Sequence, residues 1–210
     1  MDKFDTKKIL MSHFQYKNTF CSDDANFYHN NKSYLLVNKD DYFLALLNSR
    51  LFWFVLISTA RMKRGNYLEA EAQYVAQLPI PTIPPSQSAR LATLAQTCTD
   101  AAQARLKIQT AARTSIAALA KGPKTRPSGK LENFWTLDFK TFLSEVKKSF
   151  ALDLPLKSHA EWQEFLRDTS GKIHALTHAI AVAEAEIDQI VYALFDLTPE
   201  EITLLEASLA

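Results

Sequence analysis

Four glycines and two cysteines in 210 residues close off several classes of function at the outset. So few glycines cannot build a glycine-rich loop around a phosphate or a nucleotide cofactor. Cys21 and Cys98 are too few for a disulfide framework and fit a reducing cytoplasm. No apolar run approaches the ~20 residues that a membrane span needs, and the start lacks a basic, then apolar, then small-residue signal pattern. A soluble cytoplasmic chain with no membrane partner is therefore expected. A large excess of one charge is missing too: the formal net charge is +1, less basic than a free-standing nucleic-acid binder usually is.

What is present is enough apolar material for a sizeable core, 47% of the chain, in one large domain or two small lobes. The small net charge conceals an uneven distribution. Residues 1–85, 86–170 and 171–210 carry net charges of +2, +5 and −6. A polyanion is drawn to the first two thirds and repelled by the last helices.

Residues 1–39 read as short extended segments, with Lys8 to Phe14 and Ser33 to Val37 separated by polar, turn-like stretches. The apolar run from Asp41 to Thr59 is too continuous for an exposed helix and predicts a buried one beneath a small sheet. A polar, basic loop is expected over Ser58 to Leu68. An extended stretch follows over Gln73 to Pro81, where prolines disfavour a helix. Ser86 marks the start of a helix of about 86–120, roughly 50 Å long at ~1.5 Å per residue. Shorter helices are expected over 138–150 and 158–168, after a flexible loop from Lys121 to Lys130.

The strongest pattern lies near the C-terminus. Ile173, Leu176, Ile180, Ala183, Ile187, Ile190 and Leu194 recur at alternating steps of three and four, one narrow stripe on a helix of about 171–195. Its natural partner is the 86–120 helix, on which Leu91, Leu94, Cys98, Ala101, Ile108, Ala112 and Leu119 approximate the same spacing. The two predict a long antiparallel pair. Thr198, Pro199 and Glu201 then have the order of an N-cap, a first-turn proline and a capping box, so a short final helix follows. The fold class expected is α+β: a small N-terminal α/β lobe followed by a predominantly helical region.

Three motifs carry a resemblance. Leu46-Leu47-Asn48-Ser49-Arg50-Leu51-Phe52 and Leu78-Pro79-Ile80-Pro81 occur in order in the first 81 residues. Ile187-Asp188 with Val191-Tyr192, Leu194, Leu197 and Thr198 closes the chain. The first two resemble the TaqI-like C-terminal specificity domain of bacterial type IIG restriction-modification enzymes and adenine-specific DNA methyltransferases, and the third resembles the closing segment of the same enzymes, with Phe195 where that pattern has tyrosine. The resemblance implies a DNA target recognition lobe over residues 1–85 and a helical spacer over 86–210. It further implies double-stranded DNA and the methyltransferase domain of the same parent chain as partners. Asp196 stands where the family pattern has glycine, which accepts a left-handed backbone more readily. The family's Asn-Pro-Pro-Tyr type motif has no counterpart, since Ile83-Pro84-Pro85-Ser86 shares only the proline pair. This stretch is accordingly expected to be non-catalytic and to hold no cofactor and no metal. S-adenosylmethionine belongs, on this resemblance, to a separate catalytic domain.

The DNA-reading candidates are Arg61, Lys63, Arg64, Asn66 and Tyr67, a mixture able to pair phosphates and reach base edges. Lys7, Lys8, Gln15, Lys17, Asn31 and Lys32 extend the expected surface. Taken alone, these residues also read as ordinary solvated loop positions. Asp138 with Glu145 and Lys147 has the letters of a nuclease Asp…Glu-x-Lys site, but a helical setting makes a solvated helix face the simpler reading. His174 and His178 share a helix face, yet Ala175 occupies the position of a metalloprotease general base. Two other functional classes stay open: a helical protein–protein interaction module, and a divergent metal-dependent nuclease.

Overall fold

The structure is a computed structural model that describes residues 5–28, 30–37, 40–120 and 126–209. Positions 121–125 of the loop expected over Lys121 to Lys130 lie outside the described residues. The architecture is α+β, with small antiparallel sheets followed by a mostly helical remainder. Packing divides the chain into two compact units, one of Met1–Thr99 with Ala181–Ala210 and one of Asp100–Ile180. No single described helix is long and apolar enough to cross a membrane.

The first unit holds two three-stranded antiparallel sheets. In one, β1 (Lys8–Ser12) is central, flanked by β3 (Cys21–Asp23) and β4 (Ser33–Leu36). In the other, β6 (Tyr67–Glu69) is central between β2 (Phe14–Gln15) and β5 (Arg61–Lys63). The apolar run forms two helices rather than the single one expected: α1 (Asp41–Asn48) and α2 (Arg50–Thr59), bent by 61° at Ser49. Ser49 has an extended backbone there, and its hydroxyl accepts from the Phe52 N–H as N-cap of α2. The stretch expected to be extended after Gln73 instead opens with a short helix, α3 (Ala72–Val75).

The residues of the Leu46-to-Phe52 motif divide between burial and hydrogen bonding. Leu46, Leu47, Leu51 and Phe52 are buried. Asn48 donates to the Phe20 carbonyl and accepts from the Phe20 N–H, fastening the segment before β3 to the end of α1. The first N–H of α2, on Arg50, is met from 138 residues away by the Asp188 carboxylate at 2.8 Å. The C-terminal motif thus satisfies a backbone donor that the bend exposes.

α4 (Pro85–Ala117) and α7 (His159–Leu194) are the two long helices, with α5 (Gly129–Glu132), which takes in the end of the loop expected over Lys121 to Lys130, and α6 (Phe139–Phe150) between them in sequence. α7 starts 12 residues before position 171, because Gly171 is carried within it without a break. In the first unit Leu91, Leu94 and Ala95 of α4 share a core with Ala183, Ile187 and Val191 of α7. Arg90 grips Glu186 through two 2.6 Å hydrogen bonds beside that seam. In the second unit Ala112 and Ile116 share a core with Leu166 and Ile173, so the two helices run antiparallel as the heptad stripes predicted.

Asp188 sits almost out of solvent, and burial pushes its carboxyl up to about 6 against the downward pull of the Arg50 N–H and guanidinium. A carboxyl raised in the folded state adds stability that is full below its unfolded pKa near 4 and is lost as pH rises through the folded value. The corresponding loss is about 3 kcal/mol between pH ~4 and ~6. Asp188→Asn keeps an acceptor for Arg50 and should flatten that component. Urea unfolding of both proteins between pH 4 and 8 checks it; curves that stay parallel contradict it.

The end of α7 stops without a glycine. Asp196 adopts the left-handed conformation at φ 51°. The Leu197 N–H reaches the Tyr192 carbonyl at 3.1 Å and the Asp196 N–H reaches Ala193 at 3.2 Å, the paired bonds of a Schellman motif. α8 (Pro199–Ser208) follows with the full capping box of Thr198 and Glu201. Glycine at this position carries no left-handed penalty on a side chain. Asp196→Gly should therefore raise stability by about 0.5–1 kcal/mol, seen as a higher urea midpoint with an unchanged slope.

Candidate functional site

Ser58 to Leu68 is not a loop. Most of it is a hairpin, β5 and β6, closed by Arg64, Gly65 and Asn66. Gly65 and Asn66 both have positive φ, 91° and 59°, which explains why these residue types occupy the turn. The antiparallel register pairs Arg61 with Glu69, Met62 with Leu68 and Lys63 with Tyr67, while β2 pairs Phe14 with Glu69 and Gln15 with Leu68.

Directly opposed residues share one face of a sheet, and successive residues alternate. Leu68 and Gln15 are therefore on the same face, and both are buried. Arg61, Lys63, Tyr67, Glu69 and Phe14 share the other face. Tyr16 joins it: its ring meets Tyr67 edge-on, with centroids 6.0 Å apart. The Lys32 ammonium lies 5.7 Å from the Phe14 ring centroid, close enough for a cation–π contact. The result is a solvent-facing platform in which aromatic rings alternate with cations.

The expected residues fall into three groups. Arg61, Lys63, Arg64, Asn66 and Tyr67 are exposed on the hairpin, and Lys32 approaches it. Among the described residues Arg61 and Arg64 have no ion-pair partner, whereas Lys63 holds Glu69 at 2.9 Å and so keeps that carboxyl below its usual range. Lys7, Lys17 and Asn31 reach solvent elsewhere: Lys7 pairs with Asp41, Asn31 lies in the turn before β4, and Lys17 lines a separate cavity. That cavity, of about 330 Å³, is also lined by Arg50, Glu184, Asp188 and Glu206, and its acidic side chains make it unsuited to a polyanion.

Lys8 and Gln15 require correction, because neither is a surface residue. Lys8 is fully buried in the central strand, paired at 2.7 Å with Asp23 directly across the ladder. Gln15 donates to the Ser12 carbonyl and accepts from the Thr19 N–H, holding the turn between them. Their polarity made them look external; local hydrogen bonding and a cross-strand partner bring them inside. Phe14 and Tyr16, conversely, escaped notice as surface residues. Their i, i+2 spacing is the signal that places two rings on one face of an extended segment.

The other chemistry-bearing candidates have structural duties. Asp138 caps α6 (Phe139–Phe150), accepting from the Thr141 N–H at 2.7 Å. Glu145 is buried rather than on the expected solvated face, accepts from the Ser128 hydroxyl at 2.7 Å, and has Lys130 and Lys148 near its other oxygen. Lys147 instead pairs with Asp153. His174 and His178 are exposed on α7.

Two family models match this sequence. Residues 2–80 match the TaqI-like C-terminal specificity domain, and residues 84–191 match a Domain of unknown function (DUF8810). No curated protein and no solved structure matches the chain. The platform lies within the first match, and the two matches meet at the proline-rich connection that leads into α4.

Proposed function

We propose that this chain, which belongs to the DUF8810 family and carries a TaqI-like specificity domain at residues 2–80, recognises double-stranded DNA through the β5–β6 hairpin face. The observation that carries this reading is the platform itself: Arg61, Lys63 and Arg64 beside the exposed rings of Phe14, Tyr16 and Tyr67. Cations supply affinity for phosphates, arginine and asparagine can read base edges, and aromatic rings pack against sugars or bases.

Residues 1–85 act as the target recognition lobe in this reading, and 86–210 as a helical spacer. The sequence motif of adenine methylation has no counterpart here, so methyl transfer falls to a methyltransferase domain of the same parent protein, which binds S-adenosylmethionine. The setting is a bacterial type II restriction-modification system in the cytoplasm.

Hydrogen–deuterium exchange with and without duplex DNA tests the assignment. Amides 61–69 should slow on binding while those of α8 remain unchanged. Protection confined to α4 and α7, or none on the hairpin, would sink the assignment and favour a helical interaction module.

A further inference from the structure

At the base of the hairpin three potential metal ligands converge from separate parts of the first 71 residues. His13 lies between β1 and β2, Glu69 ends β6, and Glu71 precedes α3. The His13 Nε2 atom is 3.6 Å from Oε1 of Glu69 and 3.9 Å from Oε1 of Glu71, and one ligand atom from each residue lies within 4.8 Å of the other two. A tetrahedral Zn²⁺ with bonds of ~2.0–2.1 Å sets its ligand atoms roughly 3.3 Å apart, so closure onto an ion requires movements of well under 1 Å per side chain.

Two further observations point the same way. Neither ring nitrogen of His13 has a hydrogen-bond partner among the described residues, although both are hidden from solvent. A buried polar group in that condition calls for an unseen partner such as an ion or a water. The carboxylates are also pre-set from behind: Lys63 holds Oε2 of Glu69 at 2.9 Å, and Gln73 holds Oε2 of Glu71 at 2.5 Å. Each acid therefore turns its other oxygen toward the histidine, the outer-shell arrangement that orients metal ligands. The His13 ring is itself fixed by stacking on Phe14, with centroids 4.3 Å apart, and by an edge contact to Tyr34.

We propose that His13, Glu69 and Glu71 form a binding site for one divalent transition-metal ion of the Zn²⁺ class, with a fourth position left to water. One nitrogen and two oxygen ligands suit Zn²⁺ and leave an open coordination position. The ion would tie the β1–β2 corner to the end of the hairpin and to the segment after it. Chain distance conceals the site from the sequence, since position 13 stands more than fifty residues from the two glutamates. The assignment does not depend on DNA recognition.

The test is a Zn²⁺ titration of the chelator-treated, dialysed full chain in competition with a chromophoric chelator, combined with thermal unfolding with and without Zn²⁺. One equivalent should bind and raise the midpoint. His13→Ala should weaken binding at least tenfold, and so should Glu71→Gln, which keeps the Gln73 contact and lies at a partly exposed position. His174→Ala with His178→Ala should leave binding unchanged. Absence of saturable binding by the native chain, affinity retained in both His13→Ala and Glu71→Gln, or loss on changing the α7 histidines would each overturn the site.

Discussion

Lys8→Met is expected to destabilise the protein by about 3–5 kcal/mol, the cost of leaving a buried charge without its partner. Lys8 and Asp23 are almost wholly out of solvent and 2.7 Å apart. Asp23 also accepts from the N–H groups of Ala25 and Phe27, at 2.9 and 3.0 Å, and so holds the turn after β3. Burial by itself would raise the Asp23 carboxyl, but the Lys8 ammonium and those two N–H groups outweigh it, and its pKa falls below the ordinary value. The sign for pH follows. A carboxyl depressed in the folded state supplies stability above its unfolded pKa, near 4, and that stability is lost as pH falls through the lower folded value. The variant should lose this acid-side dependence as well as overall stability. Adding Asp23→Asn removes the stranded charge and keeps an acceptor for the turn, so the double variant should recover part of the loss. Urea unfolding at pH 7 and below decides it; a loss under 1 kcal/mol for Lys8→Met contradicts the burial argument.

Changing Arg61, Lys63 and Arg64 together to alanine should weaken duplex binding by about 10²-fold at moderate salt. Each phosphate contact releases bound counterions, and the logarithm of affinity falls against the logarithm of salt concentration with a slope of about −0.9 per contact. The triple variant should therefore also flatten that slope, by up to about 2.7 if all three groups meet phosphates. Arg61 and Arg64 should account for most of the change, because Lys63 is already engaged with Glu69. The three side chains are exposed, and their removal should leave folding intact. Anisotropy titrations of the three single variants beside the triple one apportion the effect. Unchanged affinity in the triple variant would remove the hairpin from the interface.

Much of this arrangement was legible in the residues. Heptad-spaced apolar positions fixed the faces of α4 and α7, because helix periodicity is local and a long stripe has one way to be buried. Thr198 to Glu201 foretold a cap because every bond in it spans three residues. Interactions set by distant chain were hidden. The Arg50 N–H exposed by the bend at Ser49 is met by Asp188, and Lys8 is paired inside with Asp23 across the ladder. The hairpin was masked by its composition: β5 is exposed along its whole length, so it shows no inside-outside alternation. The platform was visible in part, as a cluster of cations around Gly65. Its aromatic half was not, because Phe14 and Tyr16 join it only through pairing between β2 and β6. Asp196 shows the reverse case, where a residue other than glycine still makes the helix stop, since aspartate tolerates the left-handed region.

Recognition of duplex DNA by the first lobe is tested by a fluorescence-anisotropy titration of the native chain with duplex DNA over a salt series. Binding should be saturable at low salt, with an affinity that falls linearly on a log–log plot and a slope of at least about −2 from the hairpin cations. No binding at low salt, or binding indifferent to salt, would contradict it.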